Sequence, residues 1–194
     1  SSDFAILSRT NAHSRGFEER LRRMKIAYRI CGGISFYRRK EIKDCVSFLR
    51  GVVNPNDEEA LKRIINFPAR GIGKTTIEKA VLFANQNNIS MWNVLERAAE
   101  LGYRGSTLEV INNFVIMIRM FQSELQKKNA YEVAVLIGKN TGLVKELFND
   151  KTTEGLVRYE NVQELLNSIK GFTETPTDDG ELLDKSLGSY LQQI

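Results

Sequence analysis

The sequence predicts a mainly α-helical fold: a multi-helix domain preceded by a small strand–helix–strand remnant of an α/β unit. Three observations point there. From about Arg39 onward the apolar residues recur at helical spacing. Candidate caps and proline or glycine stops fall between those apolar stripes. Before Gly32-Gly33 the pattern differs, with two short apolar runs flanking one amphipathic stretch.

The elements follow in order. Phe4-Ala5-Ile6-Leu7 is short, apolar and bounded by polar residues, as a strand is. A helix is predicted over 12–25, with Phe17, Leu21 and Met24 on one face. A second strand, 27–31, ends at the glycine pair. This half unit is too small to bury its own sheet and calls for more strands beside it. Ile42, Cys45, Val46, Leu49, Val52 and Val53 predict a helix over 39–53 that stops at Asn54-Pro55. Asn56 with Glu59 reads as a capping box for a helix over 57–66, which Pro68 closes. Thr75 with Glu78 reads as a second box, followed by the stripe Ile77, Ala80, Val81 and Ala84. Leu108, Ile111, Val115, Ile118, Phe121 and Leu125 predict a long helix. Further helices fit 131–139, 143–148 and 154–170, with a loop around Pro176 and Gly180. A last helix begins at Leu187, and the chain end is expected to cut it, so the helical domain reads as truncated.

Hydrophobic residues make up 42% of the 194 and charged residues 27%, enough for a core under a solvated surface. Apolar runs such as 133–137 are too short to cross a bilayer, so no membrane partner is expected. No secretory signal precedes the first apolar stretch. Cys31 and Cys45 match no zinc or redox spacing and read as reduced, buried thiols, which suits the cytoplasm. The net charge of +4 is unevenly spread. Between Arg15 and Lys43 ten basic residues stand against three acidic ones, while 171–184 carries five acids and no base. Such polarity suits one face turned to a polyanion, and a solvated helix surface accounts for it equally.

No catalytic constellation is legible. The single histidine, His13, has no arranged nucleophile or carboxylate partner. No residues have metal-ligand spacing. Arg70-Gly71-Ile72-Gly73-Lys74-Thr75-Thr76 contains Gly-Lys-Thr, the end of a phosphate-binding loop. That loop requires a glycine where Pro68 stands, and a strand before it where a helix is predicted, so ATP is not expected here. The same residues fit a glycine turn feeding a helix N-terminus, a helix–hairpin–helix whose amides would take a nucleic-acid phosphate. Arg70, Lys74, Thr75 and Thr76 would be in reach. A glycine stop between two packed helices fits the pattern as well. At the N-terminal strand end, Arg9 and Asn11 offer donors for phosphate and base edges, and Asn11 could equally be a helix cap.

Several segments together resemble the UvrD/PcrA/Rep family of ATP-dependent DNA helicases. They are 5–15 (AILSRTNAHSR), 32–44 (GGISFYRRKEIKD), Phe48-Leu49-Arg50, Asn54-Pro55-Asn56-Asp57 and 63–73 (RIINFPARGIG), in the family's order and spacing. The resemblance is strong over about the first 80 residues and one of helical character beyond them. The family usually has tyrosine at Ser8 and glutamine at His13. The resemblance implies that 1–34 is part of a RecA-like motor (2A-like) segment and 35–194 a helical 2B-like accessory domain. It places Arg9 and Asn11 on single-stranded DNA. It places Gly71, Ile72, Gly73 and Thr76 at duplex DNA, with Arg70, Lys74 and Thr75 beside them. The basic segment Phe36, Arg39, Lys40 and Lys43 joins that duplex surface. It also implies ATP and magnesium as cofactors of the parent, none bound by this chain, and 3′ to 5′ unwinding. The partner implied is DNA at a single-strand/duplex junction. The alternative is a regulatory module that controls the motor or recruits other proteins, in which the acidic stretch 173–184 would serve.

Overall fold

The computed structural model describes residues 36–174 and 184–194, together with 6, 16–18, 20–21 and 23–28. Among the described residues the regular structure is entirely helical. A mainly α fold is therefore what the chain has, and the described residues do not show the strand–helix–strand remnant. Residues 16–18, 20, 21 and 23 are helical, inside the helix expected over 12–25. Residues 26–28 are irregular, where the second strand was expected to begin. A strand is defined by pairing, and no described segment offers one an edge. The rest of both expected strands lies outside the described residues.

A 3₁₀ turn (Phe36–Arg38) leads into α1 (Lys40–Val53), which buries Ile42, Cys45, Phe48, Leu49 and Val52 on one stripe. Each such side chain, withdrawn from water, contributes about 1.5–3 kcal/mol. α1 is the hub of the bundle. It packs on α2 (Glu58–Ile64), α5 (Gly105–Glu124), α6 (Ala130–Asn140), α8 (Thr153–Glu174) and the short α9 (Leu187–Leu191). α2 meets α1 at a glycine. A Cβ at Gly51 would lie 2.7 Å from Cδ1 of Ile64, so any larger residue there would require that side chain of α2 to shift. Burial, with smaller help from the Asp44 and Glu41 carboxylates, pushes the Cys45 thiol up to about 12.

The remaining helices are α3 (Lys74–Asn87), α4 (Met91–Glu96) and α7 (Leu143–Asn149). Two sequence-derived caps are displaced. α2 is capped by Asp57, whose carboxylate accepts from the Ala60 amide, and not by Asn56. α3 starts one residue before Thr75, so Thr75 lies inside its first turn and forms no capping box with Glu78. The capping box that does form is Asn129 with Glu132 at the start of α6, each side chain accepting from the other residue's amide at 3.0 Å. α4 was not expected from the sequence. Its Met91, Trp92, Val94 and Leu95 are all buried, so it has too little polar face to show a helical period.

Between α1, α6, α7 and α8 the packing leaves a mostly apolar cavity of about 210 Å³, lined by Cys45, Phe48, Ala134, Leu143, Val162 and Leu165 among others. No described helix is long and apolar enough to cross a membrane.

Candidate nucleic-acid interface

The turn between α2 and α3 is built from the inside. Asn66, just past α2, uses one oxygen, Oδ1, to accept from the backbone amides of Arg70 (2.9 Å) and Ile72 (3.1 Å). That double acceptance curls residues 66–72 around one side chain. Ile72 is fully buried and plugs the turn into the core. Gly71 takes φ +83°, a left-handed conformation in which an L side chain is strained. Gly73 has φ −72° and ψ 166°, ordinary extended backbone, with open space where a Cβ would stand. Only Gly71 therefore has a conformational need for glycine.

Outward, Gly71, Gly73, Lys74 and Thr75 are exposed and Thr76 is half-buried. Gly73 is the N-cap of α3, and no side chain caps that helix. Its first-turn amides thus have no side-chain acceptor at the positive end of the helix dipole. The Lys74 side chain is 89% exposed, with Glu78 at 3.6 Å, a surface pair of little energetic weight. A shallow groove between α2 and α3 runs alongside, with Lys62, Asn66, Lys74 and Leu82 in its walls.

The other expected contact residues divide. Arg70 is half-buried and turned inward. Its Nη1 donates to the carbonyls of Ile64, Phe67 and Pro68, and its Nη2 to that of Thr141. Burial draws its pKa down to about 10, which leaves it charged at neutral pH. Phe36 is fully buried, edge-on to Tyr37. Arg39 donates to Asn161 Oδ1 at 2.6 Å, and Asn161 Nδ2 in turn donates to Glu41 at 2.7 Å. Arg39 thus joins the start of α1 to α8, its guanidinium 5.8 Å from the Phe36 ring centroid. Lys40 and Lys43 are exposed. Arg63 on α2 donates to Asp44 and to the Lys40 carbonyl, so the start of α1 lies beside the end of α2 from which the turn departs. Arg9 and Asn11 lie outside the described residues. Sequence reasoning missed Asn66, whose place just before Phe67-Pro68 and the glycines was the available signal for a side-chain-wrapped turn.

A helical bundle that presents an uncapped helix N-terminus behind a two-glycine turn has the geometry of a candidate anion-binding face. The chain is a member of the UvrD-like helicase C-terminal domain family, whose profile matches residues 1–187. It is similar to the ATP-dependent DNA helicase PcrA of Staphylococcus aureus strain Mu50, at 37% identity over 183 residues, covering 94% of this chain and 25% of that protein. It is likewise similar to the ATP-dependent DNA helicase PcrA of Staphylococcus epidermidis strain ATCC 12228, at 37% identity over 187 residues with the same coverage. The chain thus spans about a quarter of the length of the curated relatives it matches.

Proposed function

We propose that this chain is a DNA-binding accessory region of an ATP-dependent DNA helicase and grips the duplex backbone through the turn before α3. The observation that carries this reading is the uncapped N-terminus of α3 behind exposed Gly71 and Gly73. A phosphate oxygen there would meet first-turn amides, the positive end of the helix dipole, the Lys74 ammonium and the Thr75 hydroxyl. Thr76 stands at the edge, and Lys40 and Lys43 add charge at the neighbouring helix start. Such a grip reads no bases, as suits a motor that must act on any sequence. The relatives' names support the helicase assignment. In this reading residues 1–34 belong to a motor segment, with Arg9 and Asn11 on the single strand, and 35–194 to the accessory domain. ATP and magnesium act elsewhere in the parent, which would work in the cytoplasm and unwind 3′ to 5′.

A regulatory, protein-recruiting role is the second reading. It is favoured by exposed Phe148, Leu156 and Val157 around the α7–α8 corner.

Fluorescence anisotropy on a labelled duplex with a single-stranded tail, across a salt series, tests the first reading. Lys74→Ala should lower the slope of log affinity against log salt by about one. Thr76→Ala should cost on the order of 1 kcal/mol. If both variants fold and neither weakens binding, the turn is only a helix stop and the regulatory reading replaces this one.

A further inference from the structure

Resting on that reading of the turn, we propose that Arg70 is its positioning residue. The guanidinium holds the turn from beneath so that Gly71 to Thr75 face the phosphate, and does not itself touch DNA.

Three features carry this. The first is where the donors go. Nη1 lies 3.0, 2.7 and 3.0 Å from the carbonyl oxygens of Ile64, Phe67 and Pro68. Ile64 ends α2 and its carbonyl also accepts from the Phe67 amide at 3.1 Å, while Phe67 and Pro68 lie just beyond. One carbonyl thus comes from the negative end of the helix dipole and two from the chain that leaves it. One cation gathers them and fixes the direction in which the chain leaves α2. The second is how the guanidinium is held. It stands 5.5 Å from the Phe48 ring centroid and 5.9 Å from that of Phe114, on α1 and α5. Its Nη2 also reaches the Thr141 carbonyl, at the end of α6, at 3.4 Å. The turn is thereby referred to three helices of the bundle beyond the two it joins. The third is the division of labour with Asn66. Asn66 takes the Arg70 and Ile72 amides while Arg70 takes the preceding carbonyls, so the polar groups of the inner side are engaged from both ends. Both Nη atoms donate inward, to carbonyls of the protein itself.

A positioning cation and a phosphate-contacting cation differ in one measurable way. Removing a contact releases fewer counterions and flattens the salt dependence, whereas removing a positioner lowers affinity at every salt concentration and leaves the slope alone. Arg70→Met, Arg70→Lys and Lys74→Ala are compared in the intact protein on the tailed duplex. Amide exchange at positions 70 and 72 is read without DNA. Arg70→Met should bind about tenfold or more weakly, the scale of hydrogen bonds lost from a charged group, with an unchanged slope and faster exchange at both amides. Arg70→Lys should recover part of the affinity, because an ammonium can donate to the same three carbonyls but cannot also reach Thr141. Should Arg70→Met fail to fold, Arg70→Gln, neutral yet still a donor, supplies the slope. A slope lowered by about one, as for Lys74→Ala, would make Arg70 a direct phosphate contact and overturn the proposal. Unchanged affinity in Arg70→Met beside a weakened Lys74→Ala overturns it while sparing the DNA reading. Unchanged affinity in both removes the DNA reading itself.

Discussion

At Gly71 and Gly73 the same residue type answers two different demands. Gly71 sits at φ +83°, so Gly71→Ala should cost about 1–2 kcal/mol of stability, read as a lowered midpoint in urea. Gly73 is an N-cap in ordinary extended conformation with open space around it. Serine is a better N-cap than glycine, because its hydroxyl accepts from a first-turn amide. Gly73→Ser should therefore raise stability by about a few tenths of a kcal/mol while weakening duplex binding, since it occupies the amides a phosphate would take. Stability and affinity moving in the same direction would count against an anion site at that helix end. Cys45 gives a pH test. Its thiol ionises near 12 in the folded chain, against an ordinary value of 9.0. The folded state then holds the proton longer than the unfolded chain does, so stability should fall as pH rises from about 9 toward 12. In a Cys31→Ser background that decline should be reduced by Cys45→Ala, and a decline of unchanged size would assign it to other groups.

Among the elements, the Asn129–Glu132 box makes the sharpest prediction. Asn129→Ala removes the acceptor for the Glu132 amide at the start of α6 and should cost about 1 kcal/mol in thermal or denaturant melts. A loss below the error of the melt would mean that packing alone fixes that start. How far such elements were legible follows from what each one shows on its surface. α1, α2 and α5 to α8 carry apolar stripes or proline stops, and their expected extents lie within a few residues of the observed ones. By contrast, α9 closes at Leu191 with Gln192 as its C-cap and is not cut by the chain end as expected. α4 has no comparable stripe to read, because its buried residues leave little polar face. The displaced caps at Asp57 and Gly73 show that pattern matching cannot separate adjacent polar residues when each could serve as a cap. At the turn, the sequence revealed the glycines and the cations but not their directions. Lys74 faces out while Arg70 faces in, and Ile72 supplies the core, because inward direction depends on Asn66 and on carbonyls that no linear motif displays.

For the molecule as a whole, α1 is the common floor on which α2, α5, α6, α8 and α9 rest. The turn before α3 is tied to that floor through Arg70 and Phe48, so a disturbance of the bundle reaches the proposed contact surface by a short route. Phe48 also lines the cavity of about 210 Å³ between α1, α6, α7 and α8. Empty space inside a folded chain makes the fold sensitive to hydrostatic pressure. Unfolding lets solvent eliminate the void, the system contracts, and compression shifts the equilibrium toward the unfolded chain. Trp92, the single tryptophan and a buried one, reports that transition by its fluorescence. Ala134→Val would occupy part of the void and should make the volume change of unfolding less negative, raising the pressure at which half the molecules unfold. An unchanged volume change would mean that the space is already filled in solution. The floor that holds the turn in place thus also borders the space on which pressure would act.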